Sequence, residues 1–497
     1  MDCSISSIHY CPVKSLSFQS IQTCSIKKNI GMLNDRIFAF SRNVDFEKAK
    51  LIEKNPNERK LNYHSPEKIL KLQESGVKIP DMNSVFVGQE VKLERIYSGC
   101  TIHPLTRITG SKTHIHSGAQ IGVSGPATLE NSWVGENAIV GNLGSVTLKN
   151  TVLGPQTILG AGVAEHAVFL GKETMVNDFT TGYGFRIRKG SLYEEDASSA
   201  QHTDTKMTVL FPWTTLGSSI NFCDALLAGG TGPGLGFFSE VGSGTIHFNF
   251  SIRGDKATAS LFGDVSSGVF LDQERLFIGG NNSLLGPIKA SFGSMTAAGV
   301  RINGSLSPGL HFGHALPKGK IDYDQRIYLR ASGIVTKQVD VLAELTALFH
   351  WYQQIRIGCV ALNPVQKFLF DSGLRMVELN YRERLAQLNL YVDAIENSLC
   401  FLSRSKKVSK NEISEQKHLL KHWPDIEKQL VSPAEFELMV PESLTNSIRQ
   451  QQADGKPAYT ELIQGLSPEG KQKGKEWLKT IANSVRIVFA AAKKKEK

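Results

Sequence analysis

Residues 115–160 read IHSGAQIGVSGPATLENSWVGENAIVGNLGSVTLKNTVLGPQTILG. Within them Ile115 and Ile121, Val134 and Val140, and Val152 and Ile158 stand six apart, and upstream Ile96, Ile102 and Ile108 keep the same step. Six is too long for one face of a helix, and a strand would alternate every second residue. The rhythm is that of a parallel β-helix: one residue per step points into a narrow prism, and glycine or another small residue takes the corner, where positive φ costs it little. An apolar residue followed by glycine recurs at Val87-Gly88, Ile121-Gly122, Val140-Gly141, Leu170-Gly171, Val241-Gly242 and Leu285-Gly286. The pattern predicts stacked coils over residues 85–306, each joined to the next by backbone hydrogen bonds about 4.8 Å apart. A β-sandwich with glycine-rich turns is the alternative, and it would need period two. The polar stretch from Tyr193 to Thr208 keeps no inward aliphatic at the required interval. It is expected to loop out of the prism.

The flanks have other rhythms. Leu374, Val377, Tyr381, Leu385, Leu388, Val392, Ile395 and Leu399 alternate spacings of three and four, which sets them on one stripe of a long helix. Val339, Leu342, Thr346, Phe349 and Gln353 form a weaker stripe on a preceding helix, with Asn363-Pro364 marking the break. Further helices are expected at about 411–430 and 468–492. The long stripe is read as part of a local bundle, with a self-associating coiled coil as the sharper alternative. Residues 337–497 are thus an α-helical domain and 307–336 a linker. Residues 1–62 suggest short strands at Ile5 to Ile8, Ser15 to Cys24 and Arg36 to Ser41. A polar connector over 63–84 carries one short helix around Pro66 to Glu74.

A chain of 497 residues has room for roughly three domains. Its formal charge of +9 is spread thinly and partly sits in the last five residues, so it does not point to nucleic acid. The seven cysteines are odd in number and include no CxxC pair, which disfavours a disulfide framework and a structural zinc site; they are read as reduced thiols. No basic, then apolar, leader opens the chain and no long apolar run occurs, so a cytoplasmic protein with no membrane partner is expected.

Two resemblances follow. Tyr10-Cys11-Pro12-Val13-Lys14-Ser15-Leu16 and Gly31-Met32-Leu33-Asn34-Asp35-Arg36-Ile37-Phe38 look like the "YPVKSL" and "GLxxDRxW" motifs of the small β-barrel that precedes MOSC domains in molybdenum-cofactor sulfurases and amidoxime-reducing proteins. The likeness implies a barrel-like N-terminal domain. It does not bring molybdenum chemistry, because that family's cofactor-handling cysteine belongs to a MOSC domain that is replaced here by the repeats. A molybdenum-cofactor accessory role is the third and weakest reading.

The second lies inside the repeats. Val241-Gly242-Ser243-Gly244-Thr245-Ile246-His247-Phe248-Asn249-Phe250, then Lys256, Phe262-Gly263-Asp264, Phe277-Ile278-Gly279, Leu285-Gly286-Pro287 and Met295-Thr296-Ala297-Ala298-Gly299, resemble the acetyltransferase domain of the bifunctional N-acetylglucosamine-1-phosphate uridyltransferases. There the pattern runs "IGAGTITCNYDG..K...IGDD.FVGS...LVAP...GATIAAGT". The resemblance implies a mainly β chain built on a left-handed parallel β-helix, assembled as a homotrimer with acyl-CoA and sugar sites in the clefts between prisms.

Acetyl transfer to an amine needs a general base, donors for the oxyanion and a groove for the pantetheine arm. By resemblance Asn249 is the cleft asparagine and Lys256 lies near a phosphate. His247, two residues before Asn249, would share its side of the strand and act as the base. Departures accompany the match. The segment from Asn249 to Lys256 is one residue longer than "NYDGxNK" and has lost its aspartate and tyrosine hydroxyl. The family's "GHLxYxGD" histidine has no counterpart in Asp224 to Glu240, leaving His202 or His166 to replace it. The run from Gly229 to Gly236 is not GxxxxGK[ST] and no helix start follows, so it reads as a flexible loop rather than a phosphate cradle. No "LAAGxGTRM" stretch opens the chain, so no uridyltransferase activity is expected.

The function implied is an acyltransferase-like or sugar-nucleotide-binding protein. Its catalytic residue would be His247, its ligand-binding residues Asn249, Lys256 and His202, its co-substrate acetyl-CoA, and its partner a sugar phosphate or nucleotide sugar, with no metal. The alternative is a non-catalytic trimeric scaffold related to UDP-N-acetylglucosamine pyrophosphorylases.

Overall fold

The structure is a computed structural model that describes residues 66–174, 179–313, 324–402, 410–455 and 458–494, together with four short strands near the N-terminus. The chain divides into two units, Met1–His64 and Ser65–Lys497. In the first, Ile8–Tyr10 pairs antiparallel with Gln19–Ile21, and Ile26–Lys27 with Gly31–Met32. The strand expected at Arg36 to Ser41 lies outside the described residues. Two separate ladders do not by themselves close a barrel.

The second unit is a parallel β-solenoid of about 12 turns over residues 86–311. Its strands stack in three ladders, one per face of the prism. The first runs Arg186, Asp204, Asn221, Ile246, Ser283, Arg301. The second runs His114, Trp133, Val152, Val168, Leu192, Val209, Leu226, Leu261, Lys289. The third contains Gln120, Ile139 and Ile158. Because side chains alternate along a strand, the residue after each of these second-face positions points inward. Ile115, Val134, Leu153, Phe169, Tyr193, Leu210, Leu227 and Phe262 are accordingly all fully buried. Each such side chain contributes roughly 2 kcal/mol by leaving water.

The corners depart from a glycine-only scheme. Asn131, Asn150, His166, Met207 and Asp224 all have positive φ, between 47° and 57°, along one edge, where glycine takes the corner at Gly190 between His166 and Met207. Asn and Asp tolerate this left-handed region because their short polar side chains bond locally. Many repeat glycines are needed instead for close approach: a Cβ on Gly154 would stand 2.0 Å from the Leu170 carbonyl oxygen of the next coil.

The stretch from Tyr193 to Thr208 does not loop out, contrary to expectation. Leu192–Tyr193, Ser198–Ser199 and Asp204–Leu210 are strands in register with neighbouring coils. Its hydroxyls fill the interior by bonding within the prism: Ser191 Oγ lies 3.0 Å from Thr205 Oγ1, and Thr203 Oγ1 donates to the Ala200 and Gly217 carbonyls. A buried polar group with a partner costs little, so an inward aliphatic was not required. Segments that do leave the ladder include 228–238, whose Leu235 is 88% exposed, 249–259, and 263–276, which carries the short helix Val265–Gly268.

Pro66–Glu74 is a helix, and its Ile69 and Leu72 join the interior of the prism at the first coil. The four expected C-terminal helices appear as Ala331–His350, Pro364–Leu402, Lys410–Gln429 and Pro468–Lys494, joined by the π-helical Trp351–Val360 and by Glu442–Ala453 and Tyr459–Gln464, which were not expected. The first begins inside the stretch read as a linker. The helices lie along a side of the solenoid. The outward residues Trp133, Val168, Leu192, Val209, Leu226 and Leu261 of the second face are buried in one cluster with Val335, Leu342, Val377, Tyr381 and Leu388.

That apolar seam encloses a charged knot. Arg356, fully buried, pairs with Glu195 Oε1 at 2.7 Å and Glu194 Oε2 at 3.0 Å, and its guanidinium lies 3.7 Å from the Tyr459 ring centroid. Tyr352 donates to Glu194, while Glu173 accepts from the backbone of Tyr459 and Thr460. Burial pushes the Glu173 carboxyl up to about 7, with Glu195 adding to the effect and the Thr460 and Tyr459 donors opposing it. Burial raises Glu194 as well, against the pull of Arg356. The folded chain therefore holds protons that the unfolded chain releases near 4.5. Their stabilisation is full below that pH and is lost as pH rises through about 7. Equilibrium unfolding in urea should show the unaltered protein losing about 1 kcal/mol more than Glu173→Gln between about pH 6 and pH 8. Parallel losses in the two proteins would contradict this.

Candidate functional site

The first face carries an open groove of about 400 Å³ lined by Arg188, Lys206, Asn221, Cys223, Asn249, Phe250, Gly254 and Lys256. Strand alternation builds its solenoid wall. Asp204 and Lys206 point outward around the inward Thr205, and Asn221 and Cys223 outward around the inward Phe222, with Lys206 beside Cys223 in the ladder. Arg188, just past the strand Thr181–Ile187, pairs with Asp204 at 2.7 Å and lies 3.2 Å from Cys223 Sγ. The opposite wall is the excursion after Phe248, which brings Asn249, Phe250 and Lys256 across the face.

Among the described residues Lys206 and Lys256 make no ion pair, so the groove presents two uncommitted ammonium groups and one half-committed guanidinium. Nearby carboxylates are occupied elsewhere: Asp224 pairs with Arg384, and Asp255 accepts from Ser251 Oγ. Cys223 donates to Asn221 Oδ1, and burial pushes its thiol up to about 12 despite Arg188, so it is neither a thiolate nor a base near neutral pH. The lining contains no histidine and no carboxylate.

Asn249 and Lys256 both line the groove. His247 is not beside them. It is 1% exposed and points into the prism between Phe222 and Phe262, with Nδ1 bonded to the Cys223 carbonyl and Nε2 2.8 Å from Ser260 Oγ. The strand ends at Phe248, so the alternation that should have set His247 and Asn249 on one side stops before it reaches Asn249. Burial lowers the His247 pKa and keeps the ring neutral. His202 is an exposed corner residue against Tyr183, 5.7 Å between centroids, and His166 is a corner residue near Asn150; neither lines the groove. Sequence reasoning missed Arg188, Lys206, Asn221 and Cys223. The signal was present as outward positions in three consecutive coils; only Lys206 was hidden by reading Tyr193 to Thr208 as a loop.

Among the described residues no group of three or more His, Cys, Asp or Glu could hold a metal, and Cys100, Cys223, Cys359 and Cys400 are free thiols. No helix of the described residues is long and apolar enough to cross a membrane. Compared with known proteins, the chain matches no family model and no curated protein.

Proposed function

We propose that this chain is a non-catalytic binding protein whose groove takes a phosphate-bearing sugar or nucleotide sugar. The observation that carries the reading is the convergence of Arg188, Lys206 and Lys256 on one face with no lining carboxylate. Two or three cations within one groove match the spread charge of a phosphate ester, and the guanidinium adds a planar donor pair. Asn221 and Asn249 supply amide donors and acceptors for sugar hydroxyls, and the 59% exposed Phe250 offers a ring face. Titration calorimetry with UDP-sugars and glucosamine phosphates should show binding that Lys206→Gln/Lys256→Gln weakens about tenfold or more and that added salt weakens further. Binding unaffected by both substitutions would refute the reading.

Acyl transfer is the second reading, since the same cations suit the phosphates of coenzyme A. It lacks a lining base, because His247 is enclosed. Incubation with radiolabelled acetyl-CoA and amino sugars separates the two: acylated sugar, lost in Asn249→Ala, would favour the enzyme. A trimer by light scattering is expected under either reading.

A further inference from the structure

We infer that the helical bundle, and not the solenoid alone, sets the affinity of the groove by anchoring its outer wall, so that bundle docking and ligand binding are linked. The inference rests on the groove being the ligand site. The wall, 249–257, is an excursion from the coil between the strands Ile246–Phe248 and Ser260–Phe262, without a ladder partner of its own. Apart from the Asn249 bond to Asp224 of the coil and the Ser251–Asp255 bonds within the wall, what holds it comes from the helical side. Arg384, on the long helix and 4% exposed, pairs with Asp224 Oδ1 at 2.7 Å, and the other oxygen of that carboxylate accepts from Asn249 Nδ2. Arg384 also reaches the Lys256 carbonyl at 3.4 Å. Arg253, at the middle of the excursion, donates to the Ile327 carbonyl at 2.6 Å and stacks over Tyr328, which packs edge-on against Tyr391 of the long helix. Gln338 donates to the Ala259 carbonyl where the chain rejoins the coil.

The wall is thus fastened to the helical side at Arg253 and Lys256, and its return to the coil at Ala259. Asp224 is the relay, because one carboxylate faces Arg384 and Asn249 together. It sits at a left-handed corner with φ 57°, which fixes its direction. Freeing the wall would leave Arg188 and Lys206 in place and let Asn249 and Lys256 drift, so any ligand spanning both walls stabilises the docked bundle, and by reciprocity the docked bundle strengthens the ligand.

The test uses the full chain, with inorganic pyrophosphate as probe, calorimetry for affinity and hydrogen exchange of residues 249–257 as the local readout. Two variants spare the lining: Arg253→Gln, and the charge-balanced pair Asp224→Asn/Arg384→Gln, whose asparagine suits the left-handed corner. Both should bind pyrophosphate about tenfold more weakly, with faster exchange confined to the wall. Lys206→Gln reports on the groove separately, by losing affinity without faster exchange. If the unaltered protein does not bind pyrophosphate, the groove reading falls and the linkage with it. If Lys206→Gln weakens binding while the two anchor variants bind and exchange as the unaltered protein does, the linkage alone is overturned.

Discussion

Replacing Arg356 by methionine should destabilise the chain by about 3–5 kcal/mol, the usual cost of removing one partner from a buried ion pair. Methionine fills much of the same volume, so the loss is electrostatic: Glu194 and Glu195, 2% and 3% exposed, would be left without the guanidinium that offsets their burial. Those carboxyls can escape by taking up protons. The Glu194 value, already raised by burial, would rise further without the opposing pull of Arg356, so the variant should suffer more at about pH 8 than at about pH 5. Urea unfolding at the two pH values measures the difference, with Trp351 as a local reporter because its indole donates to the Tyr459 hydroxyl inside the knot. An Arg356→Met protein within 1 kcal/mol of the parent at both pH values would mean that the apolar seam alone holds the helices. Partial rescue by Glu195→Gln would locate the cost on the charge.

Gly154→Ala should cost about 3 kcal/mol, a large effect for one methyl group. The Cβ would lie 2.0 Å from Leu170 O and 2.2 Å from Leu170 C, both backbone atoms of the next coil, and Gly154 N already bonds Phe169 O at 2.7 Å. Neither atom can swing aside as a flexible side chain could, so the ladder itself must open. Gly333→Ala, the same chemical change, should go the other way. Gly333 lies in the helix Ala331–His350 with nothing within 4 Å of the added methyl, and alanine there gains about 1 kcal/mol of helix propensity. Thermal unfolding of the pair checks both signs. A Gly154→Ala chain that melts with the parent would show that the coils are not spaced as described.

The helical seam was half legible. The stripe from Leu374 to Leu399 announced the long helix, but where it docks was written elsewhere, in apolar doublets of the repeats. Trp133-Val134, Val168-Phe169, Leu192-Tyr193, Val209-Leu210, Leu226-Leu227 and Leu261-Phe262 each put one apolar residue inward and one outward on a single face. A six-residue count asks only for the inward one. The doublets begin one coil after His114 and end one coil before Lys289, which instead meets Asp340 of the helix Ala331–His350 at 3.4 Å. The same count misjudged Tyr193 to Thr208, because it treated serine and threonine as residues that must face water.

By itself, the sequence determined the solenoid and the helices, because both follow from local periodicity: which residues face inward depends only on their neighbours a few positions away. Only the tertiary structure decided that His247 lies within the core, that Arg188, Lys206 and Lys256 share one groove, and that Arg384 reaches Asp224. Those meetings join residues from different coils, and from the solenoid and the long helix. Their distances are set by ladder register and by excursions of unequal length, and no local pattern along the chain records either.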